Sequence, residues 1–421
     1  MTTRMVPADD ARDPAPDARP DVAPHWLVRH HVLLLALGSA AATLLANVGG
    51  IATGDDGVGY RAIADSILRG DGLGFYLERP LTIWPPLWPG LMAAVAKVTP
   101  LGTPGAAVLL NAVTVALAVV VVNRLLRRLV ADPRLVLAGT VVVAFGSSTM
   151  GFGHLLMTDL AFAVVVGAWI LTLLRAAEER AEWWPAVAGL WVWVGFGLRY
   201  VAVALIGIGG LWLLLERGRP FARRVVRAAT YGAVAVAVPA LWMLRNHGID
   251  GTYTGERFPS ARGLVDNGFD ILATLGRFEL PGVANGFTKI WAAVGGVVLL
   301  AAVALTWKVL GAGGTVAGVD AAAPAPPPTR VRRAVALLGR GPGLLLLTAG
   351  IYLAYMLYVR TTTALNQLDL RLLNPAYFPL LVLAVVLADR TRLLGTDDVQ
   401  PWHRRAVAAV TVWANITTAA T

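Results

Sequence analysis

Two adjacent carboxylates, Asp55 and Asp56, follow the first long apolar run in the stretch GDDGVGYRAIADSILRGDGLGFYLERPLTIWPPLWPG (54–90). Such a pair is either packaging or the acidic part of a reaction site. The segment DGVGYRAIADSILRGDG patterns as an amphipathic helix with Tyr60, Ile63, Ile67 and Leu68 on its apolar side. Asp56 and Tyr60 are four residues apart and share a face at the N-terminal end of that helix. The helix dipole stabilises a carboxylate there, so its proton affinity stays low or ordinary unless burial raises it. Asp55 serves equally well as the cap of a helix that Asp56 begins. A further acid, Asp159 in HLLMTDLAFAV, either joins such a site or caps the span that follows it. Arginines stand near the ends of other apolar runs, among them Arg79, Arg199, Arg245 and Arg371. The planar guanidinium fork holds carboxylate or phosphate by paired hydrogen bonds. Arg79 reads also as a partner of Glu78 or as a snorkelling side chain, and Glu256 and Arg257 read as solvated loop charges.

A membrane bundle must position these residues. The chain of 421 residues is 57% hydrophobic and only 15% charged, with a mean hydropathy of +0.64. Runs such as HVLLLALGSAAATLLANVGGI and GVVLLAAVALTWKVL approach or exceed the roughly 20 apolar residues that cross a bilayer core. The fold class is therefore an all-α polytopic membrane protein. Apolar runs and breakers give about eleven spans, near 32–52, 106–123, 135–151, 156–174, 185–198, 201–215, 226–244, 287–307, 341–359, 375–389 and 406–421. There is no cysteine, which excludes disulfides, thiol catalysis and cysteine zinc sites. The six histidines show no metal-ligand spacing. The net charge of +10 belongs to short loops between spans, as the positive-inside rule expects, and does not point to nucleic acid.

The basic clusters place the N-terminal tail (1–28) and the arginine-rich loops on the cytoplasmic side of a plasma membrane. The tail is rich in Pro, Asp and Ala and reads as disordered. The core is expected over 29–310, a Gly/Ala/Pro linker over 311–334, and C-terminal spans over 335–421. The outer side then receives the loops 53–105 and 245–286, the segment 361–375, and the rim residues His154, Thr158 and Asp159. The stretch 185–215 reads as two short helices, since a single one would move the Arg217–Arg227 cluster outside. Each would rise only about 22 Å against a core of about 30 Å. Arg199, at their turn, lies below the outer surface and needs an anionic partner. After the first amphipathic helix, WPPLWPG forces a rigid bend, and its tryptophans suit the interface.

Taken in order, these residues resemble a known family. Asp56, Tyr60, Ala64, Leu68, Gly70 and Gly72, then Pro85, Pro86, Leu87 and Pro89, are similar to the first outer loop of the GT-C glycosyltransferases. The group most resembled is that of the protein O-mannosyltransferases and lipid A aminoarabinose transferases (glycosyltransferase family 39-like). Asp159, the GLRYVAV hairpin, WMLRNHGIDGTYTGERFPS and LDLRLLNPAYFPLL resemble later motifs of that family in the same order. Two departures stand out: two aspartates occupy the place of one, and Leu372 replaces the usual tyrosine after Arg371.

The resemblance implies a GT-C-like bundle with amphipathic juxtamembrane helices in its first outer loop. It also implies inverting transfer of a sugar from a polyprenyl-phosphate donor to an extracytoplasmic hydroxyl acceptor: cell-envelope glycan, lipid or protein. Asp56 is then the base, with Asp55 beside it as the alternative. Arg199 and Arg371 receive the donor phosphate, with Arg79 and Arg245 behind them. Tyr60, His154 and Tyr200 line the substrates. Asp159 orients acceptor or base, or binds a divalent cation if one is used, and no other cofactor is called for. Membrane lipids are the remaining partner. Two rival readings are a transporter or lipid-linked-sugar flippase and a non-catalytic lipid-binding subunit. The nearly charge-free spans and the lack of a repeat weigh against the first.

Overall fold

The computed structural model describes residues 26–75, 79–179, 181–216, 218–279, 288–311 and 338–391. The N-terminal tail, most of the Gly/Ala/Pro linker and the last expected span lie outside the described residues. Among the described residues, seven helices are long and apolar enough to cross a membrane, and four shorter apolar ones accompany them.

Helix α1 (Trp26–Ala46) ends earlier than the apolar run suggests. Asn47 turns its amide onto the carbonyls of Thr43 (2.7 Å) and Gly153 (3.2 Å), and the chain leaves the helix at once. Helix α2 (Asp55–Arg69) is the amphipathic helix of the first long loop, and Gly70 stops it in the left-handed region. Tyr60 and Ile63 are buried, while Leu68, expected on the same face, is exposed. A two-residue ribbon, β1 (Gly74–Phe75) and β2 (Arg79–Pro80), precedes α3 (Leu87–Val98), which begins directly after Pro85 and Pro86.

Helix α4 (Gly102–Leu129) is followed by α5 (Pro133–Phe145), whose start Asp132 caps at 2.8 Å. The span then breaks at Gly146, extended with ψ 152, before α6 (Ser147–Gly153). No side chain fits at Gly146, because the carbonyl of Val142 and the carboxyl group of Glu279 both lie where a Cβ would go. Helix α7 (Asp159–Glu178) is buried along most of its length and packs on α4 and α8 (Trp184–Leu198). The stretch 185–215 forms two short helices, α8 and α9 (Val203–Leu215), with Arg199 extended at their turn and one 3-10 turn between them.

Helix α10 (Phe221–Asp250) outruns its expected bounds at both ends and carries Arg245 and Asn246 on its last turns. The loop beyond it contains α11 (Leu264–Gly276), then α12 (Thr288–Gly311) and α13 (Gly341–Thr362) follow. Helix α14 (Leu370–Arg390) begins well before Pro375, where the sequence pattern places the span. Asp369 is the reason: its carboxylate accepts the amides of Arg371 (3.0 Å) and Leu372 (3.2 Å) and so starts the helix early.

The two faces of the bundle differ in charge chemistry. One, the loop face, carries α2, α3, the α10–α11 connection and the N-termini of α7 and α14. At the opposite face, Arg227 and Glu216 are almost wholly buried and pair at 3.3 Å. Arg227 also meets Glu182 at 2.9 Å, and Arg219 meets Glu216 at 3.0 Å and Glu182 at 3.2 Å.

Candidate active site

Three helices begin at one place on the loop face, and each brings a charged residue in its first turn: Asp56 on α2, Asp159 on α7 and Arg371 on α14. The α8–α9 turn adds Arg199. Arg199 Nη1 lies 2.5 Å from Asp159 Oδ1, and Asp159 is fully buried. Arg371 reaches both acids: Nη2 pairs with Asp56 Oδ2, and Nε lies 3.7 Å from Asp159 Oδ2. That longer contact is electrostatic only. Asp159 Oδ2 and Arg371 Nε are both buried and, among the described residues, neither has a hydrogen-bond partner. Asp56 is the open member, with its side chain 25% exposed.

Local packing explains how sequence places these groups. Trp84 donates its indole N–H to Asp56 Oδ1 at 3.1 Å, and its ring meets Phe75 and Tyr60 edge-on. The glycines of GDDGVG permit this: a side chain on Gly59 would strike the Trp84 ring, and one on Gly57 would strike the carbonyl of Leu156. The α6–α7 connection is held by Asn111, whose amide donates to the carbonyls of Phe152, Gly153 and Leu155. Ala52 bridges to Leu155 in parallel, tying the approach to α2 to the approach to α7. Tyr60 lies behind the acids with its hydroxyl 3.4 Å from that of Thr158. Burial holds the Tyr60 phenol well above its ordinary pKa, with Arg199 pulling the other way, so it stays neutral.

Other residues singled out by sequence stand apart from this quartet. Asp55 is exposed on the first turn of α2, and Gly54, not Asp55, is the residue preceding the helix. Among the described residues Arg79 is exposed on β2 and touches none of the four. Tyr200 points its hydroxyl at the carbonyls of Thr82 (2.7 Å) and Trp84 (3.2 Å), so it supports the Trp84 loop. Arg245 does similar work, donating to Leu81 O at 2.8 Å while stacked over Trp242 at 4.5 Å. The His154 carbonyl accepts the Ala52 amide at 3.1 Å, and its ring Nδ1 is buried.

Four contributors escaped the sequence reading. By sequence Trp84 suits the interface, Thr158 sits at the rim, and nothing singles out Tyr352. Tyr352 donates to Leu372 O at 2.9 Å and lies in electrostatic reach of Arg199 and Asp159. Arg257, read as a solvated charge, lies in electrostatic reach of Asp56 and Tyr200. Its only signal in sequence is position: it follows the Arg-Asn stretch that opens the loop.

Among the described residues no three His, Asp or Glu side chains gather as a metal ligand set. The inner oxygens of Asp56 and Asp159 face a shared guanidinium, so the quartet is built from ion pairs. Elsewhere α11, α12 and α13 line an open apolar groove of about 470 Å³, with Phe269, Leu272, Leu299 and Leu353 among its residues.

No protein-family model matches the sequence, and no curated protein matches it significantly. Solved structures do match. The oligosaccharyltransferase of Archaeoglobus fulgidus, tethered to an acceptor peptide containing the NVT sequon, superposes with a TM-score of 0.51 at 12% identity. The alignment covers 93% of this chain and 55% of that one, so this chain spans about half the length of the archaeal enzyme. ArnT from Cupriavidus metallidurans, solved in the apo state and bound to undecaprenyl phosphate, gives a TM-score of 0.46 at 14% identity over 86% of this chain and 77% of its own. The archaeal likeness, at so low an identity, speaks to architecture: the chain has a GT-C-like polytopic fold.

Proposed function

We propose that this protein is an inverting glycosyltransferase that moves a sugar from a polyprenyl-phosphate donor to a hydroxyl acceptor on the extracytoplasmic side of the plasma membrane. One observation carries the reading. An acid with an open edge, Asp56, is held by Arg371 and Trp84 in an acid–arginine cluster whose second acid, Asp159, is fully buried, on the face of a GT-C-like bundle that gathers its long loops.

The chemistry follows from that arrangement. The acceptor oxygen attacks the anomeric carbon, the bond from that carbon to the phosphate oxygen breaks, and polyprenyl phosphate leaves. The acceptor proton passes to Asp56. A carboxylate is a weak base toward an alcohol in the ground state, so positioning and late proton loss must carry the step. Fixed donors on both oxygens orient Asp56 for this. Asp159, buried between two arginines, sets the positions of Arg199 and Arg371 and does not meet the acceptor. The two guanidinium groups, each paired with an acid, offer their remaining N–H donors to the leaving phosphate. The apolar groove between α11, α12 and α13 suits a polyprenyl chain by its lining.

The test is sugar transfer in membranes carrying wild type or Asp56→Asn, supplied with labelled polyprenyl-phosphate sugars. Wild type should yield a new glycoside and free polyprenyl phosphate, and the equally expressed variant should not. Equal transfer by both proteins would remove Asp56 from the role of base. Movement of the lipid-linked sugar across the membrane without a covalent product would replace the reading with transport.

A further inference from the structure

Arg371 pairs with both acids of the quartet, so a shift of its guanidinium disturbs both. A side chain in the first turn of a helix takes its direction from where that helix begins. Asp369 starts α14 by accepting the amides of Arg371 and Leu372. Asp369 is in turn delivered by the connection that leaves α13 after Thr362. What fixes that connection therefore fixes Arg371.

Helix α11 packs against α13 and turns a polar stripe toward the connection. Asn267, Asp270 and Thr274 follow one another at spacings of three and four residues, on one helical face, and all three are buried. Asn267 donates to Thr361 Oγ1 at 3.2 Å, at the end of α13. Asp270 Oδ1 accepts from Gln367 Nε2 at 2.8 Å, and Thr274 donates to Leu368 O at 2.7 Å. Gln367 O accepts the amide of Asp369, also at 2.8 Å. Side chain and backbone of Gln367 thus join Asp270 to the residue that caps α14.

Asp270 is the costly member of the stripe. It is only 4% exposed, and burying a carboxylate costs far more than burying an amide or a hydroxyl. Arg262, in the loop between α10 and α11, balances its charge from 3.2 Å at Oδ2. Among the described residues Asp270 makes no hydrogen bond or ion pair with the quartet.

We infer that Asp270 is a positioning residue for Arg371: through Gln367 it sets the start of α14, and with it the guanidinium that holds Asp56 and Asp159. The inference rests on the glycosyltransferase reading and adds to it a residue that governs the site without touching it.

The test joins sugar transfer to arginine labelling, on the full chain in nanodiscs. The proteins are wild type, Asp270→Ala, Asp270→Asn, Gln367→Leu, Arg371→Lys and the double variant of Asp270→Ala with Arg371→Lys. Misplacing Arg371 should lower kcat of Asp270→Ala about 10- to 100-fold with little change in KM. Asparagine keeps an acceptor oxygen and should recover most of the loss, while Gln367→Leu cuts the same contact from its exposed side and should lower kcat likewise. The double variant should turn over no more slowly than Arg371→Lys alone, because Asp270 acts through Arg371. Losses that multiply would mark a merely structural role and overturn the inference, as would an unchanged kcat in both Asp270→Ala and Gln367→Leu. Phenylglyoxal labelling, read at each arginine by mass spectrometry, needs no turnover. Arg371, 17% exposed, should label several-fold faster in Asp270→Ala, while Arg199, 15% exposed, keeps its wild-type rate. Equal acceleration at both would mean a loosened fold and overturns the inference. If wild type transfers no sugar but Arg371 alone is unmasked, the transferase reading falls and the link from Asp270 to Arg371 stands.

Discussion

The molecule contains two acid–arginine clusters of nearly the same composition at opposite faces, and they are built differently. At the face of Arg227, two arginines and two glutamates are closed on one another and on backbone. Arg227 donates to Ala176 O at 2.5 Å and Arg219 to Glu179 O at 2.7 Å, so the charges also cap the end of α7. Each cluster leaves one carboxylate oxygen and one guanidinium nitrogen buried without a hydrogen bond, but at the loop face the side chains of Arg199 and Arg371 donate, among the described residues, to carboxylates and to no backbone carbonyl. A cluster whose arginines also tie down the carbonyls of a helix end is a fastener. A cluster whose arginines meet carboxylates alone, under the long loops, keeps N–H groups for a ligand.

That contrast can be broken by substitution. The largest effect is expected for Asp56→Asn: a fall in kcat of about 10²- to 10⁴-fold with an unchanged melting temperature, read from transfer assays and thermal unfolding in detergent. Arg227→Ala should do the reverse. It strips a buried pair and should cost about 3–5 kcal/mol of stability, while the protein that remains folded turns over at the wild-type rate. If Arg227→Ala instead lowers turnover of the folded fraction, the two faces are coupled and the contrast fails.

Smaller changes sharpen it. Trp84→Phe keeps the ring contacts and removes only the hydrogen bond to Asp56. A charge-assisted bond of about 1.5–3 kcal/mol predicts a roughly tenfold or greater drop in kcat with little change in KM. Glu279 offers a carboxyl group of a third kind, belonging to neither cluster. Burial over Gly146 pushes its pKa up to about 8, against 4.5 for a free glutamate, with the Ser147 amide opposing. Its protonated form therefore contributes stability that is full below about 4.5 and lost as pH rises through about 8. Wild type should melt lower at pH 9 than at pH 6, and Glu279→Gln should flatten that slope. The smallest effect belongs to Glu182, whose side chain is 51% exposed. Glu182→Gln should cost well under about 1 kcal/mol, because water screens an exposed pair.

Much of the bundle was legible from hydropathy alone, and the points of failure share a physical cause. Span lengths follow apolar composition, and the two-helix reading of 185–215 follows from the charge balance of its flanks. The start of α14 did not follow, because Pro375 is a strong local signal and Asp369 overrides it with side-chain caps. Within the site, Asp56, Asp159, Arg199 and Arg371 were legible as charges near the ends of apolar runs, where a residue without function is most conspicuous. Trp84 and Arg257 were not. A tryptophan near an interface and an arginine in a loop have common explanations, and only three-dimensional closure sets them beside Asp56. The glycines at 57 and 59 carried no readable message either, since their roles are the close approach of Leu156 and Trp84.

The pairing of Arg371 with Asp56 joins residues 315 positions apart. Because a ribosome delivers the chain from its N-terminus, Asp56 and Asp159 enter the membrane long before their shared partner is made. Until α14 arrives, two acids face one arginine, and Asp56 lacks its ion-pair partner. The cluster thus closes late in biogenesis, and a chain arrested before α14 should insert its spans yet remain inactive.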